Sequence, residues 1–382
     1  MQIGLVGKPS SGKSTFFKAA TLVDVPTSPV PFTTIQPNVG IAYVSFDCVC
    51  KEFGVKCNPR HGFCKKGKRF VPIKLIDVGG LIPGSHQGRG IGNKFMDDLR
   101  QADGLLQIVD FSGLTDEEGK PTKGFDPEKE IKFLEEEIDL WFESVVRRNF
   151  EKIKRRLRAG ENLVNLLLEQ LSGLGITKGV LEEALREVGI ENISKFSRYL
   201  RRKSKPILIV ANKIDLPSAM ENYERLKKKY VNIVPASAEA ELALKKASEK
   251  GLIDYLPGNG FEIKGELNEE QRKALEFIKK EIIEKFGSTG VQDALNKMVF
   301  EILEYIPVFP VADSKRLSDK DGNILPDVFL IKKGTTLKEF AFKIHSEIGE
   351  KFICGIDARA GKKLGADYVL KPFDVVQIMF KR

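Results

Sequence analysis

One short stretch constrains the fold of this chain more than any other: Gly7-Lys8-Pro9-Ser10-Ser11-Gly12-Lys13-Ser14-Thr15. It fits the pattern G-x-x-x-x-G-K-S/T of a phosphate-binding P-loop. Apolar residues 2–6 precede it as a strand candidate, and residues 15–20 look like the opening of a helix. A P-loop needs this strand–loop–helix order, because backbone N–H groups and the helix N-terminus hold the phosphates. The sequence therefore predicts an α/β fold of the P-loop NTPase class.

Two further motifs could serve the phosphates and a magnesium ion. In the P-loop, Lys13 should reach the β- and γ-phosphates, and the Ser14 hydroxyl should bind Mg²⁺. A D-x-x-G motif at residues 77–80 ends a strand candidate, so Asp77 would hold Mg²⁺ through water and the Gly80 N–H would contact the γ-phosphate. An earlier loop contains Pro31-Phe32-Thr33-Thr34, where one threonine can close on the metal.

Two later motifs favour guanine as the base. Asn212-Lys213-Ile214-Asp215 fits N-K-x-D after a buried strand candidate. The Asp215 carboxylate can accept hydrogen bonds from guanine N1–H and the N2 amine, and adenine lacks that pair of donors. Ala236-Ser237-Ala238 follows the next strand candidate, where Ser237 or Ala238 can offer a backbone N–H to guanine O6. Each motif alone is weak, but their order at successive strand ends predicts a GTP site.

The charge of the chain points to a polyanionic partner without identifying it. The 382 residues are 42% hydrophobic and 30% charged, with a net charge of +9 and a pI of about 9.1. Such a balance suits nucleic acid or the ribosome, and it also suits a basic enzyme. A basic run between Arg147 and Arg158 is either a solvated helix face or an RNA-facing surface.

The same composition argues against a membrane protein. A strand candidate begins at Gln2, where a signal peptide would lie, and no apolar run approaches the ~20 residues that span a bilayer. We expect a cytoplasmic protein with no membrane partner. Its oligomeric state is left open.

Changes in periodicity predict three domains. Strands that alternate with helices predict a parallel sheet, followed by helices to about residue 304. Residues 126–203 carry apolar side chains at helical spacing, which predicts an inserted helical domain. Short strands around one helix at 336–348 predict a small α+β domain at the end. The predicted domains are a P-loop domain (1–111 and 205–304), a helical domain (112–204) and a C-terminal domain (305–382).

Four cysteines lie close together before the D-x-x-G motif: Cys48, Cys50, Cys57 and Cys64. Four thiolates suit tetrahedral Zn²⁺, but the spacing lacks the usual two-residue knuckle. Zinc, disulfides and free thiols are therefore three open alternatives. A redox- or metal-sensing regulator that uses this loop is one alternative function.

At this point the sequence resembles the Obg-like GTPases of the P-loop class. The match rests on Pro31 to Thr34 and on the glycine-rich stretch from Asp77 to Asn93. Residues 90–95 look most like the YchF branch, and above all its archaeal relatives with a cysteine-bearing insert. Residues 305–382 resemble a TGS domain, a β-grasp module, through Ile331 to Thr336 and Leu370 to Val376.

The resemblance implies roles for particular residues. It assigns Lys13 to the phosphates, Ser14 and Thr34 to Mg²⁺, and Asp77 to the metal shell. The guanine-binding set would be Asn212, Lys213 and Asp215.

Three positions in the matching motifs bear on catalysis. Leu81 stands where Ras-like enzymes carry a water-orienting glutamine. The resemblance implies that the Obg-like family shares a hydrophobic residue here, so intrinsic hydrolysis should be slow or use another group. Ser10 replaces an asparagine of many relatives, which puts a potassium-assisted mechanism in doubt. His86 in the glycine-rich loop could position water, or it is a loop residue with no chemical role.

The sequence as a whole predicts a Mg²⁺-dependent protein that hydrolyses GTP to GDP and phosphate and acts on the ribosome or structured RNA. YchF members that prefer ATP lack an intact N-K-x-D, which this chain has. An ATP-preferring hydrolase of the YchF type remains the nearest alternative.

Overall fold

A seven-stranded sheet forms the centre of the P-loop region in the computed structural model, which describes residues 1–21, 38–79 and 98–381. Its strands are β1 (Gln2–Val6), β2 (Val39–Asp47), β3 (Phe63–Lys65), β4 (Lys68–Asp77), β5 (Gly104–Asp110), β6 (Ile207–Asn212) and β7 (Ile233–Pro235). They run in the order β2-β4-β1-β5-β6-β7, with β3 paired to β4. Strands β4, β1, β5, β6 and β7 are parallel, whereas β3 is antiparallel to β4. The predicted α/β fold is confirmed, and the sheet is mixed rather than wholly parallel.

The parallel pairing brings the predicted motifs to one edge of the sheet. The P-loop follows β1, Asp77 ends β4 and Asn212 ends β6, and these are all carboxyl ends of neighbouring strands. Ligands of open parallel sheets bind at this edge. Every residue of β5 is buried, as expected for a central strand covered on both faces.

Helices connect the strands, beginning with α1 (Lys13–Thr21) after the P-loop. Four helices lie between β5 and β6: α2 (Pro127–Arg158), α3 (Leu163–Leu171), α4 (Lys178–Glu187) and α5 (Ile193–Ser204). Helix α2 begins where the Asp126 side chain accepts a hydrogen bond from the Glu128 N–H at 3.0 Å, with Pro127 in the first turn. Its apolar stripe, including Trp141 and Phe142, is buried against α3 to α5. The helices predicted for 126–203 are present, and the boundaries of a separate helical domain stay a prediction.

After β6 the chain forms further helices and one hairpin. These elements are α6 (Pro217–Leu226), α7 (Ala238–Glu249), β8 (Ile253–Tyr255), β9 (Phe261–Ile263), α8 (Glu269–Ile278) and α9 (Val291–Asn296). The expectation of helices alone in this region was wrong, because β8 and β9 pair as an antiparallel hairpin. Residues 98–101, before β5, are helical.

The C-terminal region is a five-stranded sheet with two short helices. The elements are β10 (Tyr305–Val311), β11 (Phe329–Lys332), α10 (Leu337–Ile344), α11 (Ser346–Glu350), β12 (Phe352–Asp357), β13 (Lys363–Leu364) and β14 (Val375–Phe380). The order is β11-β10-β14-β12-β13. The single helix predicted for 336–348 is broken at His345, whose Nδ1 accepts the Glu347 N–H at 3.2 Å and starts α11.

The described residues divide into two compact units. One comprises residues 1–21, 38–42, 73–79 and 98–294, and the other comprises residues 43–72 and 295–381. The cysteine stretch therefore belongs to the same unit as the C-terminal strands. Within the described ranges, we find no helix with the length and apolar character needed to span a bilayer.

Candidate nucleotide-binding site

The P-loop backbone adopts a conformation that requires glycine at two positions. At Gly7, a Cβ atom would lie 2.6 Å from the Ile108 carbonyl oxygen. At Gly12, φ is +91° and a Cβ would lie 2.2 Å from the Asn212 Nδ2. A side chain at either site would strain the backbone or displace its neighbour. These two contacts explain why the motif keeps glycine at both ends of the loop.

Two predicted ligands, Lys13 and Asp77, meet at the sheet edge. Lys13 starts α1, and Asp77 ends β4 in register with Leu5 of β1. Their side chains form an ion pair that is shielded from most of the solvent. Ser14, in the first turn of α1, is exposed. The structure thus places the phosphate-binding lysine beside the carboxylate predicted for the magnesium shell.

Asn212 joins the P-loop to the predicted base-binding loops. Its buried amide donates from Nδ2 to the Ser11 carbonyl at 2.9 Å, and its Oδ1 accepts the Ala238 N–H at 3.1 Å. The Ile214 N–H also donates to the Ala236 carbonyl at 3.2 Å. Three loops, after β1, β6 and β7, are therefore held together by one side chain and a backbone bond. Asp215 follows on this rigid support and is half-exposed.

Ser237 and Ala238 are placed at the start of α7. The Ser237 hydroxyl caps the helix by accepting the Ala240 N–H at 3.2 Å, and its own N–H donates to the Thr289 carbonyl at 2.9 Å. The Ala238 N–H is bonded to Asn212. Both amides proposed for guanine O6 already have acceptors within the protein, and their role in base binding stays a prediction.

A second connection between the loops was not predicted from the sequence. Lys213 Nζ lies 2.8 Å from Asp110 Oδ2, which also accepts from the Thr115 hydroxyl at 2.6 Å. Lys8 Nζ donates to that same hydroxyl oxygen at 2.6 Å. Burial opposes ionisation of Asp110, but hydrogen bonds from Lys213, Ser112 and Thr115 prevail and lower its pKa. The sequence signal for Asp110 was an acidic residue directly after the mostly apolar stretch 105–109.

Lys8 is a buried cation in the P-loop with a dense set of partners. Besides Thr115 Oγ1, it donates to the carbonyls of Thr115 at 2.9 Å and Asp116 at 2.7 Å. Glu130, in the first turn of α2, lies 3.6 Å from Lys8 Nζ and is 1% exposed. Burial raises the pKa of Glu130 to about 8, although the Lys8 charge opposes this shift. The P-loop is thereby attached to the start of the helical segment.

Several predicted site residues lie outside the described residues. They are Thr34, Gly80 and His86, together with Leu81. Their assignments to Mg²⁺, the γ-phosphate and the attacking water stay predictions from the sequence.

The four clustered cysteines come together in the second unit. Cys48 Sγ lies 3.9 Å from Cys57 Sγ, Cys50 Sγ lies 3.9 Å from Cys64 Sγ, and all four sulfur atoms lie within 4.8 Å of one another. No disulfide joins them in this structure. The set fits a tetrahedral metal site.

Comparison with known proteins agrees with this geometry. A family model described as a 50S ribosome-binding GTPase matches residues 2–144, and one for the G4 motif-containing domain of YGR210-like Obg-like GTPases matches 210–313. A TGS domain model matches residues 317–380. A GTP-binding protein of Methanocaldococcus jannaschii is 48% identical over 99% of this chain and 98% of its own length. The chain belongs to the Obg-like family of GTP-binding proteins. The predicted family and TGS domain are thus confirmed.

Two further relatives agree with this family assignment. A GTP-binding protein from Pyrococcus horikoshii, solved as a crystal structure, has 36% identity and a TM-score of 0.81 with full coverage of both chains. The ribosome-binding ATPase YchF of Bacillus subtilis is 30% identical over 65% of this chain and 69% of its own length. This Obg-like protein is therefore related to the YchF branch.

Proposed function

We propose that this Obg-like protein hydrolyses GTP to GDP and phosphate with Mg²⁺ and uses the cycle as a switch. The observation that carries the proposal is the pair of hydrogen bonds that join the Asn212 side chain to Ser11 and Ala238. These bonds attach the N-K-x-D loop directly to the P-loop. A base held by Asp215 would then present its phosphates to Lys13 and Ser14 in one defined position. Positioning of this kind is the main contribution that a protein makes to phosphoryl transfer.

The magnesium ion would complete the charge balance at the phosphates. Ser14 and Asp77 are the described residues that would hold it, and it would neutralise charge on the phosphate oxygens. Lys13 pairs with Asp77 in this structure; with nucleotide bound, Lys13 would contact the phosphates and Asp77 would help to hold the ion. Ser14→Ala should then weaken Mg²⁺-dependent binding more than Mg²⁺-independent GDP binding.

Base selectivity is the sharpest test of the proposal. Dissociation constants for GTP, ATP and XTP should be measured for the unmodified protein and for Asp215→Asn. We expect GTP affinity to fall by about 10- to 100-fold in the variant, because charge-assisted hydrogen bonds of about 1.5–3 kcal/mol are lost. The affinity of the variant for XTP should rise. Asp367→Asn, an exposed acid in the C-terminal sheet region, is the matched control. Tighter ATP than GTP binding by the unmodified protein would favour the YchF-type ATPase alternative.

We further propose that the partner is the ribosome or another structured RNA. YchF of Bacillus subtilis is a ribosome-binding ATPase, and the matching family model is that of a 50S ribosome-binding GTPase. In the basic run of α2, Arg147, Lys154 and Arg156 are paired with glutamates. Within the described part of the chain, Arg148, Lys152 and Arg155 are exposed and lack ion pairs, and their spacing puts them on one helix face. We call these three residues the basic stripe.

The basic stripe gives a matched test of RNA binding. Co-sedimentation with ribosomes should be followed across a salt series for a variant with all three stripe residues changed to Gln. The control removes the same charge from paired residues: Arg147→Gln, Lys154→Gln and Arg156→Gln. We expect the stripe variant alone to bind weakly, with a salt slope reduced by about 2–3 if each residue contacts a phosphate. Equal sedimentation of the two variants would exclude the stripe from the interface.

A further inference from the structure

The four clustered cysteines have the spacing of a metal site. A Zn–S bond of about 2.3 Å in a tetrahedron puts sulfur atoms about 3.8 Å apart. The two pairs at 3.9 Å match this value, and no pair exceeds 4.8 Å. We propose that Cys48, Cys50, Cys57 and Cys64 bind a structural Zn²⁺ ion that holds the cysteine loop on the C-terminal sheet region.

The local fold explains why the spacing in sequence is unusual. Cys48 and Cys50 follow β2 in a turn in which Lys51 N–H donates to the Cys48 carbonyl at 3.2 Å. Cys64 lies inside β3, and Cys57 comes from the loop between them. A two-residue knuckle is therefore unnecessary, because a strand end, a loop and a second strand each deliver ligands.

A buried arginine provides an independent sign that the site carries negative charge. Arg69 is fully buried and is the cross-strand partner of Cys64, so the two side chains emerge on the same face of the hairpin. Its Nη2 donates to the Pro326 carbonyl at 2.9 Å, whereas Nε and Nη1 have no hydrogen-bond partner in the described part of the chain. Zn²⁺ with four thiolates has a net charge of about −2. A guanidinium beside it would be compensated, whereas beside four neutral thiols it would be a costly buried charge.

The segment between two of the ligands binds the C-terminal region through its backbone. The Asn58 N–H donates to the Ile324 carbonyl at 2.8 Å, and the Arg60 N–H donates to the Pro326 carbonyl at 2.9 Å. The Arg60 guanidinium also pairs with Asp319 at 2.7 Å. Because Cys57 and Cys64 lie on either side of this segment, a metal ion would fix both of its ends. Losing the ion should free the segment from residues 319–327.

A second contact ties the other part of the loop to the same region. Glu52, between Cys50 and Cys57, forms two hydrogen bonds of 2.6 and 2.8 Å with Arg359. The Arg359 guanidinium also lies 5.4 Å from the centre of the Phe53 ring. Contacts on both sides of Cys57 therefore depend on the shape of a loop with little secondary structure of its own. A metal cross-link is a physical means of fixing such a loop.

Metal content of the full-length protein is the first test. The protein should be purified under reducing conditions without a metal-affinity step, then analysed by mass spectrometry for zinc and iron. We expect about one zinc ion per chain, as in a structural site with four cysteine ligands. Cys57→Ser should lose it, while Cys354→Ser, the fifth cysteine and no member of the cluster, should keep it. Iron, or no metal with all five cysteines titratable as thiols in the denatured protein, would overturn the zinc assignment.

The docking role is tested on the unmodified protein, so that a variant that fails to fold cannot obscure it. Zinc is displaced with a thiol-specific mercurial and a chelator, the mercurial is removed with dithiothreitol, and hydrogen exchange is followed before and after zinc is restored. We expect exchange at the Asn58 and Arg60 amides to accelerate about tenfold or more without zinc and to recover with it. The Phe309 N–H, bonded to the Asp374 carbonyl at 2.8 Å, is the internal control. Unchanged exchange after complete zinc removal would overturn the docking role.

Discussion

Replacing Glu130 by glutamine should stabilise the protein at alkaline pH and not in acid. The Glu130 side chain is buried, and neither carboxylate oxygen has a hydrogen-bond partner in the described residues. Burial raises its pKa from 4.5 to about 8, although the nearby Lys8 charge opposes the shift. Because the folded-state pKa is the higher one, the native protein retains a proton that the unfolded chain loses. The contribution of this proton to the free energy of unfolding is therefore fully present below pH 4.5 and is lost as pH rises to about 8.

The size of the effect follows from the two pKa values. Each unit of difference is worth about 1.4 kcal/mol, so the pKa difference of about 3.5 units sets an upper limit of about 5 kcal/mol. Glutamine mimics the neutral acid but adds one buried N–H donor, which costs about 1 kcal/mol. Glu130→Gln should thus be about 1 kcal/mol less stable than the unmodified protein below about pH 4, and about equally stable near pH 5, where Glu130 of the unfolded chain is already mostly ionised. At pH 9 it should be more stable by up to about 4 kcal/mol.

Urea unfolding between pH 5 and pH 9 measures how the stability difference between Glu130→Gln and the unmodified protein grows with pH. Trp141 is the only tryptophan, lies buried in α2 with Glu130, and so reports on this part of the chain. Glu128→Gln is the control, because hydrogen bonds from Lys132 and Lys229 lower the pKa of Glu128 to about 2. The decrease in the free energy of unfolding caused by Glu128→Gln should be constant over this pH range. It should stay below about 1 kcal/mol, because the lysine partners of Glu128 are largely solvated. A difference between Glu130→Gln and the unmodified protein that does not vary with pH would refute the reasoning.

Three other substitutions test the nucleotide site; calorimetry measures the nucleotide affinity of the first two, and urea unfolding measures the stability of the third. Gly12→Ala should weaken GTP binding at least about tenfold, because its Cβ would displace Asn212 and φ is +91°; normal affinity would show that the loop adapts. Lys13→Ala should weaken GTP binding about 10- to 100-fold and GDP binding less, since it removes a charge at the γ-phosphate; equal losses would contradict that role. Asp110→Asn should lower the free energy of unfolding by about 1–3 kcal/mol, because the Lys213 ammonium loses its buried partner; unchanged urea midpoints would contradict this.

The fold was predictable where a chemical requirement and an apolar run coincide. The P-loop follows β1, and Asp77 and Asn212 end strands β4 and β6; the hydrophobic residues of these strands are obvious, so the common edge follows from parallel pairing. The α2 stripe containing Trp141 and Phe142 is long enough for its helical period to be unambiguous. The family and the TGS domain were also identified from motifs.

The failures concern short elements and contacts between distant residues. Strands β3, β8 and β9 have three residues each, too few for alternation to distinguish them from loops. The break at His345 depends on a side-chain cap that competes with continued helix. Asp110 was recognisable as an acid after a buried strand, but its partner Lys213 is remote in sequence. The cysteine cluster has a spacing that only the folded β2 and β3 can explain.

The buried contacts of Lys8 suggest how nucleotide could influence a distant surface of the same unit. Lys8 lies in the P-loop and is linked through Thr115 and Asp110 to the base-binding loop, and it faces Glu130 at the start of α2. The basic stripe begins 18 residues further along this helix, or about 27 Å at 1.5 Å per residue. A tilt of a few degrees at the P-loop end would therefore move the stripe by about 1–2 Å, roughly a quarter of a helix turn.

Such a movement requires that nucleotide states differ in how they bind the P-loop, since a ligand shifts an equilibrium only by its difference in affinity. We therefore expect ribosome affinity to depend on GTP versus GDP through Lys8. Lys8→Met, which keeps the length of the chain stem but removes the charge, should bind GTP while losing that dependence in co-sedimentation. If GTP and GDP still differ fully in the Lys8→Met protein, the coupling does not pass through α2, and the predicted switch residues outside the described ranges would have to carry it.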